Sequence, residues 1–195
     1  ELHKTYQANC IEEIKKRKGA HDFLLCSWGW GHQPIAAGLS DTNIIIVESG
    51  IGYKDTFTQF RVFESYTWMH WVYGKQGLDN GVFYDCVIPN YFDPNDFAFN
   101  DKKEDWFLYL GRIVKRKGVE LAVDVTKEIG AKLVIAGQGT LVNENEGIDL
   151  RADHVEFVGH ADVEKRKDLM SRAKGVFVPT YYIEPFGGVA VEAML

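Results

Sequence analysis

The chain is 195 residues long, 46% of them hydrophobic, with a formal net charge of −6. That apolar content over that length is enough to bury a sizeable core, and the mildly acidic balance argues against nucleic acid as a partner. No apolar run reaches the length of a membrane span, and no basic segment followed by an apolar stretch marks a signal peptide.

In chain order, Thr5 to Lys18 is predicted as a helix with Tyr6, Cys10, Ile11 and Ile14 on one face. The cluster Lys15-Lys16-Arg17-Lys18 reads as its solvated end, with peripheral contact to an anionic membrane surface as the alternative. Phe23 to Ser27 and Asn43 to Val47 read as short buried strands, separated by a Gly-rich turn and a short helix from Pro34 to about Leu39. His32 lies in the loop Trp28 to Pro34 and reads as a helix-entry or surface histidine rather than a cleft residue. Glu48-Ser49-Gly50-Ile51-Gly52-Tyr53 reads as a Gly-rich turn after a strand and a candidate cleft element. The aromatic stretch from Phe57 to Tyr73 reads as core, with a ligand site that stacks on sugar rings as the alternative. Cys10, Cys26 and Cys86 lack metal-ligand spacing and read as reduced core thiols. Val87-Ile88-Pro89-Asn90-Tyr91-Phe92-Asp93-Pro94 has the composition of a stiff, irregular connection.

Two later segments carry the chemistry. Asp105 to Val119 reads as a strand, a Gly-bounded basic loop holding Arg112, Lys115, Arg116 and Lys117, and then a helix running through Leu121, Ala122 and Val125. Fixed cations at a strand's carboxyl end suit a diphosphate and would stabilise charge developing on it as a leaving group, without a metal. Standing alone, the run would be a solvated loop. Gly175 to Val178 reads as a buried parallel strand, Pro179 to Pro185 as the loop at its carboxyl end, and Gly187 onward as a helix. Ligands of open α/β sheets bind at that edge, and glycines with free N–H groups at a helix start suit a phosphate. Glu184 before the helix and Glu192 about two turns inside it would both face one pocket and accept hydrogen bonds from sugar or ribose hydroxyls.

Together these segments closely resemble the donor-binding half of GT-B retaining glycosyltransferases of the family 4 type. The matching pieces are Gly111-Arg112 with Lys117-Gly118, Leu133-Val134-Ile135-Ala136-Gly137-Gln138-Gly139, His154-Val155-Glu156-Phe157-Val158-Gly159, and Glu184-Pro185-Phe186-Gly187 with Glu192-Ala193-Met194. The resemblance implies an α/β fold of GT-B type with two Rossmann-like domains. It divides the chain into residues 1–89 of the acceptor-side domain, a linker at 90–105, and residues 106–195 of the donor-binding domain. Because the chain begins at Glu1 and stops at Leu195 inside a helix, both domains read as incomplete and the chain as an internal fragment, of doubtful activity alone.

The resemblance also implies roles. Arg112 and Lys117 would hold the donor diphosphate, Glu184 would contact the donor sugar, and Glu192 would bind the ribose. Gly111, Phe186, Gly187 and Gly188 would shape the donor site, with backbone N–H groups after the Phe-Gly turn helping at the phosphate. The implied reaction moves a sugar from a nucleotide diphosphate-sugar to a hydroxyl of a glycan, lipid-linked or small-molecule acceptor, with retention, in the cytoplasm and in glycan or polysaccharide biosynthesis. No cofactor and no metal are expected, and front-face chemistry lets the leaving phosphate help deprotonate the acceptor. Two other classes are weighed. A nucleotide-dependent oxidoreductase or epimerase would explain Gly137-Gln138-Gly139 after a strand, but the third glycine and the following helix are missing. A noncatalytic binding module of the same shape would have lost charged pocket residues, whereas Arg112, Lys117, Glu184 and Glu192 are all present.

Overall fold

Every strand of the two larger sheets runs parallel to its neighbours in the computed structural model, which describes residues 1–195. Parallel neighbours need crossover connections, so strands alternate with helices along most of the chain. The chain divides into two units, Glu1–Asn90 and Tyr91–Leu195.

The first unit runs α1 (Leu2–Arg17), β1 (Phe23–Cys26), α2 (Gly29–Ala37), β2 (Ile45–Ile51), β3 (Phe60–Phe63), α3 (Tyr66–Gln76) and β4 (Asp85–Val87), with sheet order β1-β2-β3-β4. Trp68 and Val72, one helical turn apart on α3, pack on Ile51 and Phe63 to make its core. The start of α3 is fixed by Ser65, whose side chain accepts from the Trp68 N–H at 3.1 Å. Arg61 on β3 is buried and binds Asp85 on β4 through two hydrogen bonds of 2.8 and 2.5 Å, while Tyr73 donates to the same carboxylate at 2.7 Å. A one-residue slip of β3 against β4 would leave both charges buried and unpaired, so this pair pins the register.

Several expectations need correction here. Of the two strands read as buried, β2 lies inside its sheet but β1 forms the edge: on β1, Phe23 is 65% and Leu25 62% exposed, while Leu24 and Cys26 turn inward. Helix α2 starts at Gly29, so residues 29–33, expected as loop, are its opening turns. Pro34 suggested a start because proline suits a first turn, but the entry is organised by His32, whose Nδ1 accepts from the Ser27 and Trp28 N–H groups at 3.2 Å each. His32 is therefore a helix-entry residue.

The Gly-rich turn expected at Glu48 to Tyr53 is largely strand, because β2 continues to Ile51 through an irregularity between Glu48 and Ile51. Glu48 is fully buried and accepts from the Phe57 N–H (2.8 Å), the Thr58 N–H (2.9 Å), the Thr58 hydroxyl (3.0 Å) and the Tyr53 hydroxyl (2.9 Å). Four donors satisfy the carboxylate and anchor the loop between β2 and β3. Burial, and then the neighbouring Glu48, push the Cys26 thiol up to about 11, so it stays protonated at neutral pH. Of the three free cysteines only Cys26 is buried; Cys10 is half-buried and Cys86 exposed, against the expectation of core thiols. The aromatic stretch splits, with Phe63 and Trp68 in the core and Tyr66 exposed.

The basic end of α1 is engaged locally. Lys15 pairs with Asp41, Lys16 with Glu12, Arg17 with Glu13, and Lys18 donates to Asn43. No helix is long and apolar enough to cross a membrane.

The second unit runs β5 (Trp106–Leu110), α4 (Val119–Glu128), β6 (Lys132–Ala136), the hairpin β7 (Val142–Asn143) and β8 (Ile148–Asp149), β9 (Val155–Gly159), α5 (Val163–Arg172), β10 (Gly175–Phe177) and α6 (Gly188–Met194). Its main sheet has the order β10-β5-β6-β9. Strand alternation explains the two cores: Trp106, Leu108 and Leu110 meet Leu169 and Met170 of α5 on one face, and Tyr109 meets Val119 and Ala122 of α4 on the other. Helices thus cover both faces of this parallel sheet. The strand expected at Gly175 to Val178 ends at Phe177 and is a half-buried edge, not a fully buried strand.

The stretch read as linker, 90–105, is packed into this unit from Tyr91 onward. Phe92 stacks on Phe186 with ring centroids 5.9 Å apart, Phe97 joins the α5-side core, and the Glu104 N–H donates to the Arg172 carbonyl at 2.8 Å. After β6, Gly137-Gln138-Gly139 leads into the β7–β8 hairpin, so no helix stands where a dinucleotide fingerprint requires one.

Candidate active site

Two loops meet at the carboxyl ends of the adjacent strands β5 and β10. The first descends from β5 through Gly111 and Arg112 to a short 3₁₀ turn, Lys115–Lys117, that leads into α4. The second runs from Pro179 to Gly187 and leads into α6. Parallel pairing of β5 with β10 sets both loops at one edge of the sheet.

Main-chain contacts hold the loops together. The Tyr181 N–H donates to the Arg116 carbonyl at 2.9 Å. Gly118 has φ of 70°, and a Cβ there would lie 1.9 Å from the Pro179 carbonyl oxygen. Only glycine fits this position, both for its left-handed backbone and for the space. Gly187, with φ of 88°, likewise turns the second loop into α6.

Side chains close over this frame. The Lys117 ammonium and the Glu184 carboxylate form an ion pair with both groups largely shielded from solvent. The Tyr182 hydroxyl donates to the same Glu184 oxygen at 2.8 Å, and the Tyr182 ring lies 5.1 Å from the Arg116 guanidinium and 5.4 Å from the Lys117 ammonium. Beneath them Tyr109 is buried and donates to the Arg112 carbonyl at 3.0 Å. Burial first, and the nearby Glu184 second, raise its phenol well above the ordinary range, so it remains a neutral donor. A small pocket of about 40 Å³ opens among Tyr109, Lys117, Thr180, Glu184, Gly187 and Gly188. It offers an ammonium, a carboxylate and main-chain groups to a ligand part no larger than a phosphate or the edge of a sugar.

The other candidate residues are distributed around it. Arg112 is exposed on the first loop, and the Gly111 N–H donates to the Ala136 carbonyl at 3.0 Å. Phe186 stacks on Phe92 behind the second loop. Glu192 does not line the pocket with Glu184, contrary to the expectation that both glutamates face one space. It lies on α6, only 5% exposed, with Oε1 accepting from Arg166 Nη1 at 2.7 Å. Desolvation raises its pKa, and the Arg166 charge opposes that rise. No three His, Cys, Asp or Glu side chains are grouped so as to hold a metal.

Comparison with known proteins assigns the chain to a family. Residues 93–195, more than half of the chain, match the family described as glycosyl transferases group 1. The chain belongs to this family. Among curated relatives of this group 1 chain, an uncharacterized glycosyltransferase of Methanocaldococcus jannaschii is 27% identical over 124 residues, covering 63% of this chain and 35% of that protein. Glycogen synthase of Mycobacterium tuberculosis is 38% identical over 96 residues, covering 44% of this chain and 22% of that protein. The chain thus spans well under half the length of these relatives. A crystal structure of a glycosyltransferase involved in avilamycin A biosynthesis superposes with a TM-score of 0.63 at 24% identity, covering 94% of this chain and 55% of that one. The GtfA/B complex matches with a TM-score of 0.55 at 11% identity, covering 89% of this chain and 40% of that one. The fold is α/β of the GT-B type, with Rossmann-like domains.

Sequence reasoning missed four residues of this group 1 site. Tyr109 reads as one more apolar strand residue, and Tyr182 falls without a role in the loop from Pro179 to Pro185; its place two residues before Glu184 is the available signal. Phe92 lay in the supposed linker. Nothing in the sequence marks Arg166 out from the other cations of α5.

Proposed function

We propose that this group 1 chain belongs to a retaining glycosyltransferase of the family 4 type, moving a sugar from a nucleotide diphosphate-sugar to an acceptor hydroxyl of a glycan, lipid-linked or small-molecule substrate. The Lys117–Glu184 ion pair at the mouth of the pocket is the observation that carries this reading. An ammonium beside a carboxylate, at the carboxyl edge of parallel strands, matches the two ends of a sugar phosphate. On donor binding Lys117 exchanges Glu184 for the diphosphate, and the exposed Arg112 adds a second cation. Glu184, released, accepts hydrogen bonds from hydroxyls of the donor sugar.

In the reaction the sugar–phosphate bond breaks and the diphosphate leaves carrying the electron pair. Lys117 and Arg112 stabilise that charge more in the transition state than in the ground state, which is what accelerates the step. The acceptor oxygen bonds to the anomeric carbon on the face the diphosphate leaves, and the leaving phosphate takes the acceptor proton, giving retention. Glu192 grips the ribose, the glycines and Phe186 shape the approach, and the pathway is cytoplasmic glycan or polysaccharide biosynthesis. With cations doing the work of a metal, a chelator is expected to leave the transfer rate unchanged; strong inhibition in a donor-hydrolysis assay would count against the scheme.

The decisive test is calorimetric titration with UDP, GDP, ADP and NAD. One nucleoside diphosphate should bind, and Glu192→Ala should weaken it by about tenfold to a hundredfold, as loss of a charge-assisted hydrogen bond implies. Equal affinity in the variant would remove the ribose role, and selective NAD binding would favour an oxidoreductase.

A further inference from the structure

We infer that Arg166 is a positioning residue of the donor site: its guanidinium holds Glu192 by one oxygen and leaves the other oxygen available to a ligand hydroxyl. This rests on the ribose-binding role proposed for Glu192. The two buried glutamates of the chain show why. Glu48 is filled by four donors on both oxygens, as a carboxylate serving only the fold should be. Glu192 is buried to nearly the same degree, yet Oε1 has the Arg166 donor while Oε2 is buried without a partner. Arg166 Nε is buried without a partner as well, so the pair is joined by a single hydrogen bond; an unsatisfied carboxylate oxygen in the interior is costly, and a bound hydroxyl would supply the missing donor.

Arg166 is the one cation set against this carboxylate. Its neighbours on α5 are drawn elsewhere, Lys165 donating to the Val158 carbonyl at 2.5 Å and Lys167 to the Asn95 carbonyl at 3.4 Å. Among charged groups, only Arg166 acts on Glu192, and it favours the ionised form against desolvation. A hydroxyl donor binds an ionised carboxylate far better than a neutral acid, so Arg166 works through charge as well as geometry. The contact also ties the seven-residue α6, which follows the Glu184 loop, to the longer α5.

The test is titration of UDP, GDP and ADP into the wild type, Arg166→Met, Arg166→Lys, Glu192→Gln and the Arg166→Met/Glu192→Gln double variant, between about pH 5 and pH 8. The diphosphate that binds the wild type should bind Arg166→Met about tenfold more weakly at neutral pH. Binding needs ionised Glu192, whose pKa rises further without Arg166. Affinity should therefore fall with decreasing pH from a higher starting pH in Arg166→Met than in the wild type. Arg166→Lys should recover part of the loss. The double variant, which leaves no unpaired buried carboxylate and so remains informative if Arg166→Met folds poorly, should bind as Glu192→Gln does. Wild-type affinity and pH profile in Arg166→Met, with weak binding in Glu192→Gln, would overturn the inference alone, as would a further loss in the double variant. Wild-type affinity in Glu192→Gln would overturn the ribose role and the inference together.

Discussion

Replacing Lys117 by alanine is expected to lower turnover by about 10²- to 10³-fold, the loss seen when one preorganised charge-stabilising group is removed from an active site. The ammonium is positioned before any ligand arrives: the 3₁₀ turn Lys115–Lys117 fixes its backbone, and Glu184 with the Tyr182 ring holds its head group. A charge fixed in this way needs no reorganisation when the diphosphate begins to leave. The variant also strands Glu184 beside the pocket, where its charge would repel the incoming phosphate, so donor affinity should fall as well. Steady-state rates with the matching donor, together with thermal melts to establish folding, are the required measurements. A folded Lys117→Ala enzyme with the wild-type kcat would end the leaving-group argument, and Lys117→Arg should retain part of the rate because the charge survives with different geometry.

Gly118→Ala should cost about 3 kcal/mol of stability, combining left-handed strain for a residue with a Cβ and overpacking against a backbone carbonyl. The added methyl carbon would sit 1.9 Å from the Pro179 oxygen, a separation no rotamer change can relieve. One loop must move away from the other, breaking the Tyr181 to Arg116 hydrogen bond and pulling Lys117 from Glu184. The midpoint of denaturant unfolding should drop at unchanged slope, with diphosphate affinity weakened in the folded variant. An unchanged midpoint would mean that the two loops are not held as closely as described.

These two residues also show how far the sequence could be read. Lys117 and Glu184 are 67 positions apart, yet each stands just after an apolar run of strand length, and parallel strands deliver such positions to a common edge. Their convergence was therefore legible, while the ion pair they form was not, because pairing depends on side-chain reach across loops. The same limit explains Glu192: two turns into a helix, a carboxylate can face ligand or neighbour, and only the packing of α5 against α6 shows that it meets Arg166. In the first unit, β1 and β2 were found from their apolar runs, but periodicity over four or five residues could not say that Phe23 and Leu25 lie on an open face. Glu48 reads as the start of a turn because Gly50 and Gly52 follow it closely; three donors from a loop nine or ten residues onward, with the Tyr53 hydroxyl, hold it in the strand instead.

The Gly118–Pro179 contact and the Tyr181–Arg116 bond are both made by backbone atoms. The spacing of the two loops is accordingly independent of which side chains they carry at positions such as Arg116, Thr180 and Tyr181. Of these, Thr180 lines the pocket, so a substitution at Thr180 changes what the pocket offers a ligand without shifting its walls. A frame of this kind gives natural variation, or a designer, room to change that lining while the Lys117–Glu184 pair stays in place.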